Sequence, residues 1–494
     1  MDWIVRHWNR PGGYREVLGM AVPLILSTGS WTIQHFVDRM FLTWYSAEAI
    51  AAAMPAAMLN WTVIGLFVGT AGYVNTFVAQ YYGAGQYARI GAVVWQGIYF
   101  SLLATPIMYL ALLIGDGFFL WLGHAPALAA QEGRYFRILM LGAPAVVLSN
   151  ALSGFFSGLG KTWTVMWVNT AATAVNIGLD YLLIFGRGGF PELGIAGAGI
   201  ASDLAALAAV GLFLMLVFRK KHRRAFATTS ARGWEAPLLR RLIAYGMPTG
   251  VQFLLEVSVF TLFVLLVGRL GVMELAATNI AFNINSLAFL PMFGMTIAVS
   301  VLVGQRLGRN QPELARQTTW SAFHLALAYF TLLACGYAFL PELFLAPFGW
   351  QASADSFGPV AHLAANLLKF VALYSLFDAA NMVFSGALKG AGDTRFVALA
   401  NLILALVTMA VPCTLIVYFF HGNIYALWSF ATLYVCALGL TYYARFRTGK
   451  WQAMRVIETG TAGRCAVPGD FFCFCLQLPP RTPNMCSYRK WQWI

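Results

Sequence analysis

The chain is written as about twelve apolar stretches, each roughly 20 residues or longer and nearly free of charge, joined by short loops. A helix rises ~1.5 Å per residue, so every stretch is long enough to cross the ~30 Å hydrocarbon core of a bilayer. None alternates polar and apolar residues in the dyad pattern of an outer-membrane barrel, which leaves an all-α integral membrane protein. Composition agrees: 60% of the 494 residues are hydrophobic and only 10% are charged, more apolar surface than a soluble core can hide.

The apolar segments fall near 17–42, 50–80, 91–120, 127–158, 162–186 and 194–218, then 240–268, 276–305, 316–346, 358–388, 394–420 and 422–446. This divides the chain into an N-terminus (1–16), a first lobe (17–218), a basic linker (219–239), a second lobe (240–446) and a tail (447–494). The linker opens with Arg219, Lys220, Lys221, His222, Arg223 and Arg224. Arg89, Lys161, Arg306, Arg309, Lys389, Arg395 and the stretch from Arg445 to Lys450 fall in loops on the linker's side, so both termini are expected to be cytoplasmic, in a bacterial inner membrane. The first segment has no small-residue cleavage site and is expected to be retained.

A net charge of +13 raises nucleic acid as a partner, but the basic loops lack interleaved aromatics, and none is expected. The seven cysteines have neither disulfide-framework nor zinc spacing. After about Glu458 the tail turns to Cys, Pro and aromatics without periodicity and is expected to be disordered, as a reading-frame shift near the end of the gene would make it; a genuine extension is the other reading.

Self-similarity is the strongest signal. VNTFVAQYYGAGQYARIG (74–91) resembles VSVLVGQRLGRNQPELAR (299–316), pairing Gln80 with Gln305 (305 − 80 = 225). The same offset pairs Pro23 with Pro248 and Gly69 with Gly294. Further on, FFSGLGKTW matches ALKGAGDTR at an offset of 394 − 162 = 232. Six helices per copy is an even number, so the copies share one orientation and are related by a pseudo-two-fold axis along the membrane normal. Two such lobes rocking about a central cavity are transporter architecture, and a monomer is expected.

Three acids lie well inside the first, seventh and tenth segments: Asp38, Glu256 and Asp378. An acid at membrane depth costs at least ~2.5 kcal/mol, so it usually faces a cavity and has a task. Arg39 beside Asp38 is the bland explanation, but neighbours on a helix point about 100° apart, a poor pairing geometry. Tyr374 lies one turn before Asp378, on the same face, where a phenol and a carboxylate can share a cation. The fifth segment repeats the device with Asn176 and Asp180, for which interhelical hydrogen bonding is the alternative. Such carboxylates can couple H+ or Na+ to a conformational change, so Na+ is a candidate at Glu256, Tyr374 and Asp378 or at Asp38, Asn176 and Asp180. Asp203 is ambiguous, and His35 near Asp38 is a possible relay member. No phosphate loop and no HExxH or Ser/His/Asp set is present, so no ATPase, no other enzyme and no cofactor is expected.

These residues together resemble the multidrug and toxic compound extrusion (MATE) transporters over about residues 15–450. The resemblance rests on PLILSTGSWTIQHFVDRMFL, AQYYGAG, GQRLGRN, SGLGKT, KGAGDT and NIGLDYLLIFG. It implies a V of two six-helix bundles that exports cationic, aromatic or amphipathic compounds in exchange for Na+ or H+. Glu256, Tyr374 and Asp378 look like the second-lobe cation site of the family's NorM branch. Asp38, Asn176 and Asp180 match a first-lobe site, with Asn150 and Ser202 as further ligands, and Pro23 matches the proline where the first helix bends. Arg39 departs from the usual small or polar residue there. A lipid-linked oligosaccharide flippase is the alternative in a related fold, and it predicts a cavity dominated by Arg and Lys.

Overall fold

A computed structural model describes residues 8–349, 354–419 and 422–458, and the regular structure in them is helical throughout. In the first lobe the helices are α1 (Tyr14–Tyr45), α2 (Ala47–Gly72), α3 (Val74–Gly83), α4 (Tyr87–Tyr109), α5 (Gly115–Trp121), α6 (Pro126–Gly158), α7 (Thr162–Ile184) and α8 (Ile195–Val217). A short α9 (Lys220–Phe226) opens the linker. The second lobe holds α10 (Ala236–Gly268), α11 (Val272–Gly308), α12 (Pro312–Phe339), α13 (Pro341–Gly349), α14 (Ala354–Ala391), α15 (Thr394–Leu404), α16 (Val411–Phe419) and α17 (Ile424–Arg447). α2 and α3 form one span, as do α15 and α16, the latter through a π-helical stretch at Ala405–Ala410.

Eleven spans among the described residues are long and apolar enough to cross a membrane. α7, the fifth crossing by position, is not among them: its Asn169, Asn176, Asp180 and threonines lower its hydropathy. It is nonetheless packed between α1 and α8, because Thr173, Asn176 and Asp180 are buried inside the lobe rather than turned towards lipid.

The helix ends have local causes. Ser46 accepts from Ala49 N at 3.0 Å to cap α2, and Asn423 does the same for Ala426 N at the start of α17. The repeat extends to backbone geometry. Gly85 (φ +72°) and Asn310 (φ +59°), 225 residues apart, each turn the chain in the left-handed region. Gly160 (φ +79°) and Gly392 (φ +106°), 232 apart, do the same after the fourth crossing of each lobe.

The lobes meet through symmetry-related contacts. Gln80 Nε2 donates to Gly390 O at 2.9 Å, and Gln305 Nε2 donates to Gly158 O at 2.8 Å. Beside them Gly83 lies against the backbone of Gln305, and Gly308 against that of Gln80, with no space for a Cβ. Further along the same helices Gly69 abuts Gly250 and Gly294 abuts Ile25. One alignment register thus built a two-fold seam, with glycines wherever backbones touch. Lys161 ties the linker to this end: its ammonium donates to His222 Nε2 at 2.9 Å, while His222 Nδ1 donates to Leu216 O at 2.7 Å. Burial holds both Lys161 and His222 below their ordinary values.

Three placements differ from the sequence reading. Lys389, assigned to a loop, lies in the last turn of α14, within electrostatic reach of Glu256. Glu132, passed over, is fully buried and paired with His124 at 2.8 Å. The start of the tail is packed: Trp451 is buried and stacks on Phe446, and Val456 N donates to Gln80 Oε1 at 2.8 Å. Residues 459–494, expected to be disordered, lie outside the described residues.

Candidate functional site

Asp38 points inward from α1, and Asn176 and Asp180, one turn apart on α7, meet it. With its amide turned to satisfy both acids, Asn176 Nδ2 donates to Asp38 Oδ1 at 2.9 Å and to Asp180 Oδ2 at 3.2 Å. Asn176 Oδ1 then faces the Ser202 hydroxyl on α8. The two carboxyl groups are also within hydrogen-bond reach of each other. Two acids this close in a low dielectric hold a shared proton or a cation between them. Among the described residues Asp180 Oδ1 has no hydrogen-bond partner.

Arg39 lies on the exposed face of α1, within electrostatic reach of Asp38 but not hydrogen-bonded into the set. The nearest ring nitrogen is that of His35, whose Nδ1 lies 3.8 Å from Asp38 Oδ2. Pro23 is buried within α1, which runs as one helix through it.

Asp38 also lines a half-open cavity of about 160 Å³ between α1, α2, α6, α7 and α8. Trp31, Trp61 and Tyr135 supply aromatic faces, while His35, Asn60, Asn150, Ser202 and Asp203 supply polar groups. No Lys or Arg is among the lining residues. Asn150 and Ser202 therefore face the cavity, while Asn176 and Asp180 stand behind Asp38. Carboxylates on an aromatic wall suit an organic cation.

The second lobe gathers Glu256, Asp378 and Tyr374 differently. Glu256 Oε1 accepts from Gln252 Nε2 at 2.8 Å and from Asn401 Nδ2 at 3.1 Å, and Tyr434 donates to Asn401 Oδ1 at 3.4 Å. Asp378 Oδ1 accepts from Asn381 at 2.8 Å. Tyr374 is buried within electrostatic reach of Asp378, and Asp378 within that of Glu256. Each acid here is already hydrogen-bonded by amides, and Glu256 has Lys389 nearby.

The amide partners Gln252, Asn381 and Asn401 were not read from the sequence. The repeat held the signal for two of them. Asn401 corresponds to Asn169 (401 − 169 = 232) and Gln252 to Ser27 (252 − 27 = 225), and Asn169 donates to Ser27 Oγ at 2.6 Å. The equivalent pair in the second lobe does not bond to itself: Gln252 and Asn401 both donate to Glu256, which takes the acceptor role that Ser27 has in the first lobe. Among the described residues no group of three or more His, Cys, Asp or Glu is placed to hold a metal ion.

Comparison with known proteins accords with this arrangement. The MatE family model matches residues 23–182 and again 248–415, starting at Pro23 and Pro248 in the 225-residue register. A probable multidrug resistance protein NorM from Bradyrhizobium diazoefficiens is 32% identical over 388 residues, covering 77% of this chain and 81% of that protein. The multidrug resistance protein PmpM of Pseudomonas aeruginosa is 29% identical over 466 residues, 91% of this chain and 89% of its own. Among solved structures, an outward-facing multidrug resistance MATE family transporter superposes with a TM-score of 0.80 at 17% identity, over 90% of this chain and 98% of that one. The eukaryotic MATE transporter AtDTX14 superposes with a TM-score of 0.76 at 17% identity, over 91% and 97%.

Proposed function

Since this chain belongs to the MatE family, we propose that it is a multidrug exporter that exchanges organic, mostly cationic and aromatic compounds for Na+ or H+ across the inner membrane. The family's members are membrane transporters rather than enzymes. The observation that carries the reading is the double position of Asp38, at once part of the Asp38–Asn176–Asp180 set and part of the cavity wall. An ion that enters between the acids cancels the charge that attracts a cationic substrate, so the two ligands compete across one carboxylate. The second-lobe acids act as an auxiliary ion site, since their amide partners and Lys389 already offset much of their charge. The absence of Lys and Arg from the cavity wall disfavours a pyrophosphate-linked lipid as cargo.

In this reading the seam at Gly83 and Gly308 lies at the cytoplasmic end, as the basic loops beside it require. The lobes are closed there, which is the state from which an exporter releases substrate to the outside. The test is ethidium efflux from proteoliposomes under a Na+ gradient or a proton gradient, each imposed alone. Efflux is expected under at least one gradient, and efflux under neither refutes the antiport.

A further inference from the structure

Two cavity features take no part in the ion set. Asp203, on α8, places its carboxylate against the backbone of Gly142 on α6, in a notch that any Cβ at Gly142 would fill. It forms no salt bridge among the described residues, and Tyr135 stands within electrostatic reach of Asp203, Asp38 and Asp180 alike. Asn60, on α2, is 6% exposed, lines the same cavity, and leaves its side-chain Nδ2 without an acceptor. A buried amide donor without an acceptor is costly, as is a carboxylate without a countercharge, so a compound that suits both offers a positive centre to Asp203 and a hydrogen-bond acceptor to Asn60.

We propose that Asp203 is a specificity residue of the cavity, taking the second positive centre of a dicationic aromatic substrate whose acceptor atom meets Asn60. The first positive centre faces Asp38, on the α1 wall, and the aromatic body rests on Trp31, Trp61 and Tyr135. The acids sit on different helices of one chamber, so a compound with two separated charges engages both, whereas a monocation uses Asp38 alone. The repeat gives the second lobe no counterpart: the position 232 residues after Asp203 is Val435. This proposal rests on the exporter reading.

The test compares ethidium with propidium, which shares its aromatic core and adds a second cationic centre, in proteoliposomes holding the full chain. Asp203→Asn is expected to raise the KM for propidium at least 10-fold more than that for ethidium, and Asp203→Glu to restore most of the difference. Equal changes for both dyes, or no change for either, overturn the proposal. Where Asp203→Asn aggregates, Asp203→Ser takes its place, with the same expected difference between the two dyes and little change in kcat. Failure of the exporter reading looks different, because the unaltered protein then moves neither dye.

Discussion

Asp38→Asn is expected to lower gradient-driven ethidium efflux by about 100-fold while the protein remains folded and monodisperse. Removing one partner of a buried charge pair costs ~3–5 kcal/mol, and ~1.4 kcal/mol is tenfold in affinity, so losing the carboxylate forfeits at least about two orders of magnitude in ion binding. Asn is nearly isosteric and still meets Asn176, which separates loss of charge from loss of packing. Asp180→Asn is expected to do the same from the other side of the shared hydrogen bonds. Glu256→Gln is expected to cost less, because Gln252 and Asn401 remain to bond the new amide oxygen. The check is the initial efflux rate at matched protein per liposome; equal losses in all three variants would remove the distinction between the two lobes.

The second large effect lies at the seam. A side chain at Gly308 meets the backbone of Gln80, and one at Gly83 meets that of Gln305. Overpacking of this kind costs ~1–3 kcal/mol, which biases a two-state equilibrium by roughly 5- to 150-fold. Gly308→Val and Gly83→Val are each expected to hold the seam open and to lower efflux at least about 10-fold. Ser300→Cys, at a buried position whose hydroxyl meets Thr76 Oγ1 across the lobes at 3.3 Å, reports the change in a chain freed of its native cysteines. Its labelling by a water-soluble maleimide should be slow with both glycines in place and much faster in either valine variant. Unchanged labelling together with unchanged efflux would mean that the seam is not a moving gate.

Much of this architecture was legible in the sequence because a membrane makes the rules strict. Helix lengths follow from bilayer thickness, and the 225-residue register that paired Gln80 with Gln305 also fixed the seam's hydrogen bonds. Asp38, Asn176 and Asp180 stood out because acids at membrane depth are rare, and the structure brings all three together. What escaped was whatever depends on side-chain reach. Lys389 reads as a loop cation, yet its long stem lets it face Glu256 from the end of α14. Asn60 and Asn381 carry no charge and follow no spacing rule, so only the packed structure shows the first with its Nδ2 lacking an acceptor among the described residues and the second bound to Asp378. Glu132 was hidden by standing near a segment end, where an acid usually meets water, until His124 turned back onto it.

The account stands or falls on exchange between ion and drug. In proteoliposomes at zero imposed gradient, addition of ethidium to one side should drive the coupling ion the opposite way, read as 22Na+ movement or as a lumenal pH change. The account predicts a flux that depends on ethidium, saturates with it, and is lost in Asp38→Asn. Ethidium movement with no accompanying Na+ or proton flux, or a flux of undiminished size in Asp38→Asn, would contradict it.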